Sequence, residues 1–242
     1  MKKIAMALAV LLALASPAAA ANDPVKCDLT LYGWLAGLDG TMGFANAGSQ
    51  EVTATFQDLA EFVDFAMAGH FEATTGKGIL ITDVSYTGLG AERQAQVGGQ
   101  TVDIDLDINQ WIVEFGGGYR ASKNFDLLLA GRLYVFDTGT TSTSIAGSTT
   151  EDSGLNWADI YVGARYHRML GEKWLVALRG DVGTGGSDFA WFGDLALGYH
   201  FSPKVTALAS WRMLGLDYQG DEPKFIYDIT QAGIGLGIGY SF

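Results

Sequence analysis

The sequence predicts an all-β protein, an antiparallel transmembrane β-barrel of about ten strands. Three observations support this prediction. The chain opens with a targeting segment, and many later stretches of about ten or more residues alternate between apolar and polar side chains. After residue 21, no apolar run approaches the ~20 residues of a membrane-spanning helix. Only 17% of the 242 residues are charged and only one is Cys, which excludes a disulfide framework or a cysteine-based zinc site.

Residues 1–21 have the pattern of a cleaved signal peptide. Lys2 and Lys3 precede an apolar run over 4–15, and small residues suited to cleavage follow Pro17. Removing this segment lowers the basic residues from 15 to 13 against 27 acidic residues, a net charge of −14. We therefore expect a single barrel domain over 22–242, secreted through the inner membrane, and no binding to nucleic acid, which needs a basic surface.

The mature chain contains ten segments with a strand-like period of two. In the segment 187–201, for example, Phe189, Trp191 and Leu195 share one face and Asp194 and His200 share the other. An even number of strands is typical of a bacterial barrel. Eight strands remain an alternative, as do twelve if 41–46 and 51–56 join the sheet as a small hairpin. The predicted strands are 28–38, 64–74, 78–90, 101–120, 125–138, 155–168, 173–184, 187–201, 204–218 and 226–242.

The alternation changes phase once, within the strand 101–120. Residues up to Ile108 place apolar side chains at even positions, whereas Trp111 and the residues after it place them at odd positions. This change predicts a β-bulge near Asn109 and Gln110. Trp111 and Tyr119 are spaced as expected for the two aromatic belts at the membrane surfaces.

The connections and one short helix complete the predicted architecture. Short turns alternate with longer polar links such as 139–156, and in outer-membrane barrels the short turns are periplasmic. The segment 57–64 places Leu59, Phe62 and Val63 at helical spacing and predicts a short amphipathic helix. We expect it to cap the barrel or to enter the lumen against the glycines of 233–239. The alternative is a helical turn on the outer rim.

The C-terminus carries a family resemblance. Phe242, Tyr240 and Gly237 resemble the β-signal read by the outer-membrane barrel-assembly machinery, although Gly235 stands where a polar residue is usual. The mature chain as a whole resembles the small Gram-negative outer-membrane barrels of the OmpA/OmpW-like porin class. This resemblance implies an outer-membrane location, contact with membrane lipid, and contact with the assembly machinery during biogenesis. The class includes anchors, narrow pores and a few enzymes.

A soluble lipocalin-type barrel is the rival fold. Alternation does not by itself tell which face points outward, and a lipocalin would turn its apolar face inward. The Trp and Tyr residues near the strand ends and the aromatic last strand favour the membrane barrel.

The polar faces of a membrane barrel point into its lumen, where acids and bases of this chain would be interleaved. We expect them to pair across strands, because an unpaired charge away from bulk water is costly. They would form either a structural ion-pair network that fills the interior or a lining that selects small solutes. The predicted luminal residues are His70, Glu72, Asp83, Glu114, Arg120, Asp126, Arg132, Asp159, Arg165, Arg179, Asp181, Asp194 and Arg212.

An acidic ladder lies at the predicted extracellular end of one long strand. Asp103, Asp105 and Asp107 share one face at intervals of ~7 Å. Such carboxylates attract cations and would bind Ca²⁺ if loop oxygens completed the shell. The alternative is a solvated rim, and we expect neither a bound metal nor a cofactor.

These residues predict a non-enzymatic protein, either a narrow diffusion pore or a structural barrel with surface loops for contact. The alternative is an outer-membrane enzyme that hydrolyses lipid or peptide with luminal or rim carboxylates. Such chemistry needs an oriented base. His167 and His200 fall at predicted periplasmic ends and His70 falls mid-strand, so no His lies near Asp103–Asp107.

Overall fold

The structure, a computed structural model, describes residues 24–44, 48–97, 100–144, 147–220 and 225–242. The predicted signal peptide lies outside these residues. Among them, no helix is long and apolar enough to span a bilayer. The elements are β1 (Lys26–Phe44), β2 (Gly48–Ala54), α1 (Phe56–Ala60), β3 (Val63–Thr75), β4 (Gly78–Val97), β5 (Gln100–Ser122), β6 (Phe125–Ser144), β7 (Gly147–Leu170), β8 (Trp174–Gly185), β9 (Phe189–His200), β10 (Val205–Gln219) and β11 (Phe225–Ser241).

The strands close into an antiparallel barrel, as the sequence predicted. Each strand from β3 to β11 pairs with the next, and β11 returns to pair with β1. This closing seam runs from the pair Asp28–Ser241 to the pair Phe44–Phe225. Next to the pair Asp28–Ser241, Phe242 and Cys27 exchange two backbone hydrogen bonds of 2.9 and 3.1 Å. The predicted assembly residues Gly237, Tyr240 and Phe242 therefore lie at the strand that closes the barrel.

Strand β1 has two partners on its other edge. It pairs with β3 along Lys26–Tyr32 and with β2 along Leu38–Phe44. The predicted hairpin is confirmed over 41–44 and 51–54, where Thr41 pairs with Glu51. Residues 45 and 46 lie outside the described residues, and Phe56 begins α1. Among the described residues, β2 pairs with β1 alone, so the wall has ten strands and not twelve. Between the two paired stretches, Gly33–Gly37 pairs with β11 and with no other described strand.

Helix α1 is shorter than predicted and lies outside the lumen. A capping box begins it: the Thr55 backbone amide donates to the Asp58 carboxylate at 2.8 Å, and the Asp58 amide donates to the Thr55 hydroxyl at 3.3 Å. The hydrogen bond from the Thr55 side chain lowers the pKa of Asp58. None of the helix residues is buried, and the helix packs against β1 and β2.

The predicted packing of this helix against the glycines of β11 is wrong. A Cβ on Gly233 would overlap the Leu35 carbonyl oxygen, and one on Gly237 would lie 2.8 Å from the Cβ of Tyr32. Both Leu35 and Tyr32 belong to β1. These glycines therefore permit close approach across the closing seam, which is the use that a side-chain-free position has in a strand.

The predicted β-bulge near Asn109 and Gln110 is also wrong. The pairing of β5 with β4 and β6 runs past these residues without a shift, and the irregularity found lies between Arg120 and Ser122. Even-numbered residues of β5, including the buried Glu114, face inward throughout. The pattern of apolar residues changes although the register does not. The outward face of β5 is apolar on the turn side of Trp111 and acidic on its loop side.

The large apolar side chains point outward, which contradicts the lipocalin alternative. Ile160 is 68% exposed, Ile238 64% and Leu129 59%. Aromatic contacts gather at both ends of the strands. Tyr86 lies 4.6 Å from Trp111 at the loop end, and Trp174 lies 4.9 Å from Tyr199 near the turns. Two aromatic bands flanking an apolar belt are typical of membrane barrels.

Replacing Gly233 with Ala tests the closing seam. We expect Gly233→Ala to lower the free energy of unfolding by about 1–3 kcal/mol, because the added methyl group overpacks against β1. Urea unfolding of the protein in lipid vesicles, followed by tryptophan fluorescence, measures this change. Gly193→Ala is the matched control, since a Cβ there meets no atom within 4 Å. Equal unfolding midpoints for the two variants would contradict this account of the seam.

Candidate functional site: the luminal charge network

Strand alternation builds the lumen from inward-facing side chains. On β6 the inward positions include Asp126, Leu128, Arg132 and Tyr134, which are all 4% exposed or less. Charged residues gather toward the short turns and aromatic residues gather toward the loops. The charges form three groups, which we name the central, periplasmic and side clusters. The periplasmic cluster is named for the short turns near it, which are expected to face the periplasm.

The central cluster consists of Glu114, Arg132, Arg179 and Asp181. Arg132 donates through Nη2 to Glu114 at 2.9 Å and to Asp181 at 3.1 Å. Arg179 donates through Nη2 to Asp181 at 2.8 Å, to Glu114 at 3.0 Å and to the Tyr161 hydroxyl at 2.9 Å. Two cations and two anions therefore neutralise each other, which offsets the cost of removing them from water.

The periplasmic cluster consists of Glu72, Arg120, Asp126 and Arg165. Arg165 reaches Glu72 at 2.6 Å and Asp126 at 2.8 Å. Arg120 lies 3.0 Å from the other oxygen of Asp126. Asp126 is fully buried, so two guanidinium groups enclose one carboxylate.

The side cluster joins β1, β3, β4, β9 and β10. Asp83 accepts a hydrogen bond from the Tyr32 hydroxyl at 2.7 Å and lies 3.1 Å from Nδ1 of His70. Arg212 lies 4.4 Å from the centre of the Tyr32 ring, and its Nε lies 3.8 Å from Asp194. All these groups were predicted to be luminal except Tyr32, which was not singled out.

Asp159 is the predicted luminal residue that lies apart from the three clusters. One oxygen of Asp159 accepts a hydrogen bond from the Ser187 amide at 2.8 Å. The Ser187 hydroxyl accepts a bond from Nε1 of Trp157 at 2.7 Å. Asp159 therefore anchors the connection between β8 and β9 at the loop end of the barrel.

An aromatic layer lies on the loop side of the charged clusters, and the sequence did not lead us to predict it. Trp157 stacks on Tyr218 at 4.0 Å, on Tyr134 at 5.1 Å and on Phe136 at 5.3 Å. Tyr227 lies 5.2 Å from Phe136. These residues alternate along their strands with the lipid-facing residues, so their side chains are expected to point inward. This alternation is the sequence signal that could have identified them.

The acidic ladder lies outside the lumen. Asp103, Asp105 and Asp107 are on the outer face of the upper part of β5, and Asp103 accepts a hydrogen bond from Gln94 at 2.8 Å. Within the described ranges, no group of three or more His, Cys, Asp or Glu side chains is placed to hold a metal ion. The ladder has the geometry of a solvated acidic surface.

The three His residues lie in the part of the barrel toward the short turns. His200 lies 2.7 Å from the Thr206 hydroxyl through Nδ1, and the Nδ1 of His167 lies 3.5 Å from Asp126. His70 belongs to the side cluster. The structure therefore brings none of them to Asp103–Asp107.

Removing Arg132 tests how strongly the central cluster depends on pairing. We expect Arg132→Met to lower the free energy of unfolding by about 3–5 kcal/mol, because Glu114 and Asp181 then lose a buried partner. Arg168→Met, at an exposed position, should change it by about 0.5 kcal/mol or less. Urea unfolding in vesicles measures both variants. Equal stability of the two would show that water screens the cluster.

Comparison with solved structures identifies the fold. OmpT, the outer-membrane protease of Escherichia coli, matches with a TM-score of 0.51 at 9% identity, covering 90% of this chain and 96% of that one. Ail of Yersinia pestis, solved with the heparin analogue sucrose octasulfate, matches with a TM-score of 0.43 at 14% identity, covering 90% and 99%. The toluene transporter TodX of Pseudomonas putida gives 0.34 at 10% identity, covering 92% and 90%.

No family model matches the chain, and no curated protein matches it significantly. The likeness to OmpT concerns the fold alone, because so low an identity carries no activity from one protein to another. The described strands of this chain close into an antiparallel barrel, and their large apolar side chains point outward. The chain therefore has the closed, antiparallel barrel fold of outer-membrane proteins, with ten strands in its wall.

Proposed function

We propose that this chain is a non-enzymatic outer-membrane barrel whose lumen is closed to solute flow and which acts through its surface-exposed strands. One observation carries the proposal. Arg165 on β7 binds Glu72 on β3 at 2.6 Å, although these strands lie nearly opposite each other in the wall. A direct ion pair across the lumen leaves no room for a solute at that level.

The lumen is bridged again at higher levels. Gln231 of β11 donates to Gln110 of β5 at 3.3 Å. Phe136 of β6 lies 5.2 Å from Tyr227 of β11, and these strands are also opposite each other. Charged, amide and aromatic contacts thus cross the interior in succession, which favours a plugged barrel over a diffusion pore.

The surface role follows from the lengths of the strands. Strands β4 to β7 extend from Gly78 to Leu170 and each contains 20 to 24 residues. A membrane-spanning strand needs about 9–11 residues. The extra length forms a four-stranded projection on the side of the long loops. Its outer face carries the acidic ladder of Asp103, Asp105 and Asp107, which suits contact with a cationic partner.

The placement of the charged residues supports a non-enzymatic role. The acids of the central and periplasmic clusters are engaged by arginines. A general base must instead be within reach of a substrate proton. The acids of the ladder have no His beside them, so neither group supplies an oriented acid–base pair. His70 does lie 3.1 Å from Asp83, but this pair faces the lumen that we propose to be closed.

Conductance in a planar bilayer tests whether the lumen is closed. We expect the refolded mature protein to give no stable conductance steps, because ion pairs and aromatic contacts fill its lumen. A variant that removes all three bridges should show salt-dependent steps. It combines Glu72→Ala and Arg165→Ala with Gln231→Ala, Phe136→Ala and Tyr227→Ala. The heat-induced shift of the unboiled gel band verifies that each protein is folded.

The matched control replaces lipid-facing residues with Ala at Leu129 and Ile160, which are both exposed on the outer wall. This variant loses side-chain volume outside the lumen and should stay silent. Stable steps from the folded wild-type protein would overturn the closed-barrel proposal and establish the narrow pore instead.

A further inference from the structure

The barrel places its two kinds of basic side chain in different regions. Five of the seven arginines belong to the luminal clusters. Each of the four short turns instead carries one exposed lysine, and these are Lys77, Lys123, Lys173 and Lys204. The same turns contain a single acid, Glu172. The turns therefore form a positively charged rim, although the whole chain has a formal net charge of −12.

Two of these turns adjoin each other, because β8 and β9 are paired strands. The His200 amide donates to the Lys173 carbonyl oxygen at 2.8 Å, which ties the turn between β7 and β8 to the start of the turn between β9 and β10. Lys204 lies in the second of these turns, and Arg168 is exposed on β7. Three cations and one acid, Glu172, thus lie on one short stretch of the rim.

An aromatic cluster lies on the lipid-facing wall beside this stretch. Trp174 is 45% exposed and Phe201 is 68% exposed. The Tyr199 ring lies 4.9 Å from the Trp174 ring and 5.1 Å from the Phe201 ring. The ammonium nitrogen of Lys173 lies 5.9 Å from the centre of the Tyr199 ring. Cationic groups and exposed aromatic rings are therefore in contact at the edge of the apolar belt.

This combination of groups fits an amphipathic anion. An ammonium group binds phosphate through charge and hydrogen bonds, and a positively charged surface attracts anionic lipids. Exposed Trp and Tyr rings lie at the level of the lipid head groups in membrane proteins. A water-soluble polyanion would engage the lysines and leave the aromatic cluster uncovered, whereas a phospholipid contacts both with one molecule.

We propose that Lys173 and Lys204 form a binding site for the phosphate group of an anionic phospholipid, whose acyl chains lie against Trp174 and Phe201. Short turns face the periplasm in outer-membrane barrels, so the site is presented to the periplasmic leaflet. The site is independent of the state of the lumen and rests only on the membrane location.

Removing two positive charges tests the site. Lys173→Gln with Lys204→Gln removes both ammonium groups from exposed turns and leaves the aromatic cluster in place. Lys77→Gln with Lys123→Gln is the matched control, because it removes the same charge from the other two turns of the rim. Each protein is refolded in detergent with equimolar palmitoyl-oleoyl phosphatidylglycerol and phosphatidylethanolamine, and bound lipid is counted by native mass spectrometry. The heat-induced shift of the gel band verifies folding.

We expect the wild type and the control to retain phosphatidylglycerol in preference to phosphatidylethanolamine. Lys173→Gln with Lys204→Gln should retain about tenfold less phosphatidylglycerol. Full retention by this variant, or equal losses in both lysine variants, would overturn the site. A wild type without preference for phosphatidylglycerol would overturn the head-group assignment.

A second variant tests the apolar part of the site. Trp174→Ala with Phe201→Ala keeps the cations and should also lower phosphatidylglycerol retention, because the acyl chains lose their contact surface. Full retention by this variant would overturn the contact with acyl chains. Conductance of the wild type would overturn the closed lumen and leave these lipid counts unchanged.

Discussion

A flat sheet of ten strands leaves two edges with unpaired backbone groups, and lipid supplies no partner for them. The seam between β1 and β11 removes both edges at once, so every other feature of this barrel depends on it. The seam sets the register around the wall, and the register decides which side chains face inward. Glu114 and Arg132 are luminal partners because they lie opposite each other on β5 and β6, and Arg212 faces Asp194 for the same reason.

Closure creates a second constraint, because the inward side chains lose contact with bulk water. A charged group in such a place is stabilising only when its partner and its remaining hydrogen bonds are in position. In the central and periplasmic clusters, three arginines each engage two carboxylates. Arg165 joins Glu72 to Asp126, and Arg132 joins Glu114 to Asp181. These contacts support the proposed closed lumen, because a pore requires an open interior.

The sequence allowed much of this architecture to be predicted, because the period of two is a local property. The predicted strand 125–138 matches the membrane part of β6, which continues to Ser144. The continuation was missed because Ser and Thr residues there carry no apolar alternation. The bulge predicted at Asn109 and Gln110 failed for a related reason. Alternation reports only a change of polarity, and the change here comes from the surroundings of the strand.

The luminal residues were predictable as a set, and their pairing was not. The alternation along each strand shows which side chains face inward. It does not show which of them pair, because the bond from Arg165 to Glu72 joins strands that are far apart in sequence. Asp159 illustrates the limit. It faces inward like Arg132, with which it pairs in the sheet, yet it accepts a hydrogen bond from the Ser187 amide beyond the end of β8. The aromatic layer was missed because Trp and Tyr at strand ends were assigned to the lipid interface.

The two partners of β1 account for the irregular part of the wall. Strand β1 is 19 residues long and β3 is 13, so β3 ends its pairing with β1 well below the loop end of that strand. Strand β2 and helix α1 supply the missing neighbour above Leu38, but they leave Gly33–Gly37 without a second strand. A continuous β3 would have closed this edge with backbone hydrogen bonds alone. The gap therefore follows from the early divergence of β3, and Gly33 adds no side chain that would cover it.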